Sequence, residues 1–363
     1  MPGKLSRFLL LLYIIITFSS VSAYAAITVD VNFTNADLQS ALGDTGVVAD
    51  TIYDRISQYS DVPELARGFG NANTYASHAS TLRGYQGYDL FAISVGTMAS
   101  VQAPSDDPQF YEDLMDEIDK GDVHAGVGVT PVVVQVGMNL GFILDGLYVS
   151  FMFGKLHTNI DQGDIRIDHN ANLVGGHINY AVFSEKSILA RSLLWRGLTI
   201  QTGFIHTDNK LEFYNELDQI NATATVTSYT VLCEIDPSVN FELTTEGNVI
   251  PVELYTSIRL LWFLNIGVGG GFDYVVSSRT DFGLSSAGDV VVTDDGASGA
   301  SGYVGETGTV TINGDTNGVE SDKYRPKIMA NIGFGIGPLF IDFPMSYYLD
   351  NGYALGITAG FVW

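Results

Sequence analysis

The side chains best able to hold a metal or move a proton are the six histidines, His78, His124, His157, His169, His177 and His206. None falls at tight ligand spacing, so no metal site is expected. No Ser/His/Asp constellation surrounds any of them, so the chain is not expected to be an enzyme, and no cofactor is implied. Asp315-Thr316-Asn317-Gly318, with Glu320 and Asp322, has calcium-loop residue types without the twelve-residue spacing, and reads as a solvated Asx turn. Cys233 stands alone, which excludes an intrachain disulfide and leaves a buried or lipid-facing thiol. Acidic residues outnumber basic ones by 41 to 17, which argues against a nucleic-acid partner.

The chemistry left is that of surfaces that sort solutes. The final residues alternate strictly. Tyr353, Leu355, Ile357, Ala359, Phe361 and Trp363 share one face, and Ala354, Gly356, Thr358, Gly360 and Val362 the other. An apolar face bounded by aromatics, opposite a small-residue face, fits a membrane barrel strand with lipid outside and lumen inside. Tyr353, Leu355, Ile357, Phe361 and the terminal Trp363 are similar to the assembly signal of outer-membrane proteins, which implies the barrel-assembly machinery as a partner.

The beginning of the chain agrees. Lys4 and Arg7 precede the uncharged apolar run Phe8–Phe18, and Ala23-Tyr24-Ala25 is an A-x-A cleavage site. Residues 1–25 therefore read as a secretory signal peptide. No later uncharged apolar stretch reaches the ~18 residues of a spanning helix. A chain with 40 glycines, 19 tyrosines and 20 phenylalanines, exported and hydrophobic, is expected to cross lipid as a closed barrel.

Residues 26–87 read as a compact, mostly helical N-terminal element, with Asn35 capping Ala36–Leu42 and Pro63 opening a later helical stretch. From Asp89 onward the pattern alternates, and residues 88–363 read as an antiparallel transmembrane β-barrel of about 14 strands, with 12 as the alternative. Short turns, including Asp145-Gly146, Leu260–Phe263 and Gly335–Pro338, exchange with expected long loops at Pro104–Asp122, Asp208–Asn221 and Ala287–Asp322. The expected lumen face includes Ala92, Ser94, Gly96, Ser150, Met152, Gly154, Asn265, Gly267, Gly269, Gly271, Asn331, Gly333, Ala354, Gly356, Thr358 and Gly360. Few of these are charged, which suits a filled lumen or an apolar solute, although glycine also eases strand coiling.

A helical element of small residues followed by such a barrel resembles the FadL-type long-chain fatty-acid transporters. Gly68-Phe69-Gly70-Asn71-Ala72, with Ala76 and Ala79, is similar to the Gly- and Ala-rich hatch run of that family. The resemblance implies a 14-stranded barrel with an N-terminal plug at those residues, and passage of fatty-acid-like or other apolar molecules across the bacterial outer membrane. Two other functions remain open: a surface adhesin using long acidic loops, and a small general porin.

Overall fold

The computed structural model describes residues 26–40, 62–75, 82–85, 87–103, 126–162, 165–189, 192–216, 220–226, 229–294 and 303–363. The expected signal peptide, the acidic stretch after Pro104, and Ala76 and Ala79 lie outside them.

Alternation decides the architecture. Phe91–Gln102 (β2), Leu339–Tyr348 (β14) and Gly352–Val362 (β15) each turn every second side chain outward. In β14 the outward residues are Leu339, Ile341, Phe343, Met345 and Tyr347. The other strands are Ala26–Phe33 (β1), Gly126–Val129 (β3), Val133–Asn139 (β4), Leu147–Gln162 (β5), Ile165–Phe183 (β6), Lys186–Leu189 (β7) and Leu193–Glu216 (β8). Then follow Ile220–Val226 (β9), Tyr229–Leu260 (β10), Leu264–Asp294 (β11), Thr307–Val319 (β12) and Tyr324–Ile336 (β13). Among the described residues these form one 15-stranded antiparallel sheet, as a barrel requires. Antiparallel pairing runs β11-β13-β14-β15-β2-β4-β5-β6-β8-β10, and β10 returns to β11, closing the wall. The remaining strands extend it.

The wall has the polarity of a transmembrane barrel. Phe151 is 71% exposed and Phe153 61%, and such residues recur around the outside. Aromatic pairs mark two levels. Tyr274–Tyr324 and Tyr347–Tyr353 lie at the loop-side end, each with ring centroids 5.2 Å apart. Phe361–Trp363 and Trp262–Phe263 lie at the turn-side end. β15, with 11 residues from Gly352 to Val362, has the length that spans a bilayer, ~9–11 residues.

Three expectations change. Asp208–Asn221 is no loop: β8 runs through Glu216. Ala287–Asp322 is no single loop either, because β11 continues to Asp294 and β12 follows. Polar strands outside the membrane need no lipid-facing alternation, so their Thr, Asn and Asp content looks like loop. Ala26–Phe33 is a strand paired with β12 rather than part of a helical element. Asn35 does cap Ala36–Leu38 (α1), its side chain accepting from the Asp37 and Leu38 amides at 3.0 and 3.3 Å.

Val62–Tyr75 (α2) is the helix that matters for function. It touches β2, β3 and β15 on one arc of the wall and β10, β11 and β12 on the opposite arc. It therefore lies inside the ring.

Candidate functional site

The helix meets the wall through small residues. A Cβ at Gly126 would stand 2.1 Å from the Gly68 backbone, and one at Gly128 would stand 2.6 Å from the Ala72 carbonyl oxygen. A Cβ at Gly70 would meet Thr280 Oγ1 at 2.6 Å and Ser321 Oγ at 2.8 Å. Backbones can approach this closely only where side chains are absent. Polar contacts then fix the register. Asn71 Nδ2 donates to Asp322 Oδ2 at 2.9 Å, the Asp322 amide returns a bond to Asn71 Oδ1 at 3.0 Å, and Ser100 Oγ donates to the Ala72 carbonyl at 2.5 Å. Asn73 Nδ2 donates to Thr245 Oγ1 at 2.8 Å. Gly68, Phe69, Gly70, Asn71 and Ala72 thus all sit on the helix where it meets the wall.

The last turn of the helix holds a cation. The Arg325 guanidinium carbon lies 3.8 Å from the Tyr75 ring centroid, and that ring stacks on Tyr348 at 3.8 Å. Arg325 donates to Asp350 Oδ2 at 2.8 and 3.0 Å, to Gln102 Oε1 at 3.0 Å and to Thr74 Oγ1 at 3.0 Å. The Tyr75 hydroxyl lies between Gln102 Oε1 and Asp350 Oδ1. A Cβ at Gly352 would stand 2.1 Å from the Tyr75 ring, so glycine opens the notch that ring fills.

A second tether follows the helix in sequence. Arg83 grips Glu253 with two bonds of 2.5 Å. Glu253 also receives Lys327 Nζ at 2.7 Å, and Lys327 reaches Asp273 Oδ1 at 2.6 Å. Tyr348 donates to Asp273 Oδ2 at 2.8 Å. Two cations and two carboxylates balance in a site where Glu253 and Lys327 are each 2% exposed. Glu253, Gly271 and Lys327 are cross-strand neighbours, and the missing side chain at Gly271 clears the path between the charges. Paired, bidentate and charge-assisted contacts are what make such burial tolerable.

The expected lumen residues, Ala92 through Gly360, do not take up lipid-facing positions. The expectation of a lumen poor in charge is overturned, however. Arg83, Glu253, Asp273, Arg325, Lys327 and Asp342 are all buried inside. Their signal in the sequence was a charge at an inward position of an apolar strand, as in Val252-Glu253-Leu254 and Ile341-Asp342-Phe343.

Among the described residues the wall is parted between β3 and β5. Thr130-Pro131-Val132 separates β3 from β4. Proline offers no amide to the ladder, and Thr130 stitches the break to Met98 with bonds of 2.9 and 2.8 Å. Beyond it β3 pairs with β2, while β5 from Lys155 onward pairs with β6. Among the described residues no backbone pairing joins β3 to β5. Next to this gap lies a pocket of about 280 Å³, lined by Phe69 of the helix with Val127, Val129, His169, Leu211 and Leu243.

The profile of the Lsa36-like family matches residues 22–363, and the chain belongs to that family. No curated protein sequence matches it. Among solved structures it is similar to the translocator domain of the autotransporter NalP from Neisseria meningitidis, at 10% identity over 90% of this chain and 98% of that one, with a TM-score of 0.28. It is similar to the Ralstonia pickettii toluene transporter TbuX at 8% identity over 82% and 99%, with a TM-score of 0.27. A Pseudomonas aeruginosa FadL homologue is similar at 8% identity over 82% and 98%, with a TM-score of 0.25. Likenesses this loose do not extend to a substrate.

Proposed function

We propose that this Lsa36-like barrel is an outer-membrane transporter for small apolar molecules, exported by residues 1–25 and closed by residues 26–87 acting as a plug. The observation that carries the reading is the apolar pocket beside the parted wall. A solute reaching it meets Phe69, Leu211 and Leu243 on the loop side of a helix bonded to both arcs of the ring. Pockets that hold small ligands are mostly apolar with a few placed polar groups, and this one has His169, Asn73 and Asn209 among its walls. A general porin needs an open aqueous lumen, whereas Tyr75, Arg83, Tyr85 and Tyr88 are buried within this one. Tyr353, Leu355, Ile357, Phe361 and Trp363 would serve insertion by the assembly machinery, and the outer-membrane lipid would cover the exposed face.

Planar-bilayer recording tests the plug. The intact protein should conduct few ions. Deleting Asn35–Ser80 removes the helix and leaves the closing strands untouched, so it should insert and conduct steadily. Intact protein that already conducts as an open pore, with no change on deletion, would overturn the reading. Binding of the apolar dye N-phenyl-1-naphthylamine tests the pocket, and Phe69→Asp should weaken it severalfold.

A further inference from the structure

Buried polar groups with no partner are costly, and several of them lie at the turn-side end of the lumen. Arg259 and Asn265 are directly opposed across β10 and β11. Asn265 is 2% exposed, and neither its Oδ1 nor its Nδ2 has a hydrogen-bond partner. The Nε atoms of Arg259 and of Arg196 on β8 are buried and equally unpartnered. Arg196 reaches into the lumen, its guanidinium 5.7 Å from the Tyr85 ring centroid. Glu185 is exposed and lies within electrostatic reach of Arg196, but among the described residues no hydrogen bond joins it to either arginine. The carboxylate farther along the same row of neighbours is Asp342, beyond Gly333. Two strand spacings, about 10 Å, separate it from Asn265. Its Oδ1 is taken by Tyr85 at 3.2 Å and Asn331 at 2.5 Å, and its Oδ2, though unpartnered, belongs to that separate cluster.

We propose that Arg196, Arg259 and Asn265 form a binding site for an oxyanion, a phosphate or carboxylate group, at the turn-side mouth of the lumen. Two like charges facing one space repel unless an anion lies between them. Guanidinium forks suit the planar or tetrahedral oxygens of such a group, and the Asn265 amide supplies a further donor. This contrasts with Arg83, Arg325 and Lys327, whose charges are met by Glu253, Asp350 and Asp273 of the chain itself. The site lies apart from the apolar pocket and stands whether or not that pocket carries solute.

Calorimetric titration of the refolded, detergent-solubilised full chain with inorganic phosphate and, separately, with decanoate tests the site. Saturable binding of at least one anion is expected. Phosphate alone marks a free inorganic ion as the occupant, and decanoate alone marks the head group of an amphiphile. Arg259→Gln should raise the dissociation constant at least tenfold. Asn265→Leu removes no charge and should raise it severalfold, which separates a local contact from general electrostatic attraction. Should Arg259→Gln fail to refold, Asn265→Leu decides by itself. Absence of binding to both anions, or binding unchanged in Asn265→Leu, overturns the proposal.

Discussion

The two faces of the barrel wall obey different rules. Outside, Ile93, Val95, Phe151, Ile328, Ile341 and Leu355 need only be apolar, because lipid makes no directional demand. Inside, the buried charges that hold the helix and its tether are each met by a partner of opposite sign at a defined place. Arg83 needs Glu253, 170 residues away, and Arg325 needs Asp350 and Thr74. The outside is therefore interchangeable residue by residue, and the inside is a set of specific pairings that also hold the lumen helix. Mutations should expose this asymmetry.

The largest effect is expected inside. Glu253→Gln leaves Arg83 and Lys327 without the carboxylate they share. Removing one partner of a buried ion pair costs about 3–5 kcal/mol. The unfolding midpoint in urea, followed by the heat-modifiable mobility of the folded barrel, should fall accordingly. A variant as stable as the parent would mean that the lumen charges are solvated rather than paired.

Arg325→Met should act on the plug more than on the wall. It deletes the bonds to Thr74, Gln102 and Asp350 and the contact with Tyr75. The barrel should remain closed by its backbone pairing while the helix loosens, seen as intermittent openings in single-channel records. Gly352→Ala attacks the same contact from the wall, since its methyl would overlap the Tyr75 ring. It should give the same openings more weakly, because the ring can tilt away. Silent channels in both variants would place the hold on the plug elsewhere.

The same asymmetry explains what could be read from the sequence. The outward alternation of Leu339–Tyr348 and the closing strand is local, so the residues of each strand specify it by themselves. The turn at Asp145-Gly146 was equally local, and Gly146 has φ of +79°. By contrast, Thr245-Glu246-Gly247-Asn248 looks like a turn. It is strand because Thr207 and Ser278 pair with Gly247 from both sides. The pairings of Arg83 and Arg325 depend on which strands become neighbours, which alternation does not specify. Asn71, within the expected plug run, could be singled out, but its partner Asp322 could not.

The smallest stability change belongs to the outer face at its edge. Trp363 is 59% exposed, stacked on Phe361 with ring centroids 6.0 Å apart, at the turn-side aromatic level. Trp363→Asp puts a carboxylate at that interface, where an acidic residue costs ~0–1 kcal/mol or less. Its backbone amide still donates to the Phe91 carbonyl, so the closure of β15 against β2 does not depend on the side chain. Refolded into detergent, the variant should unfold within about 1 kcal/mol of the parent by the same interface argument. In cells its outer-membrane level should nevertheless fall if the closing strand is read by the assembly machinery. Normal levels together with normal stability would remove the assembly role from Trp363 and leave it an interchangeable member of the outer face.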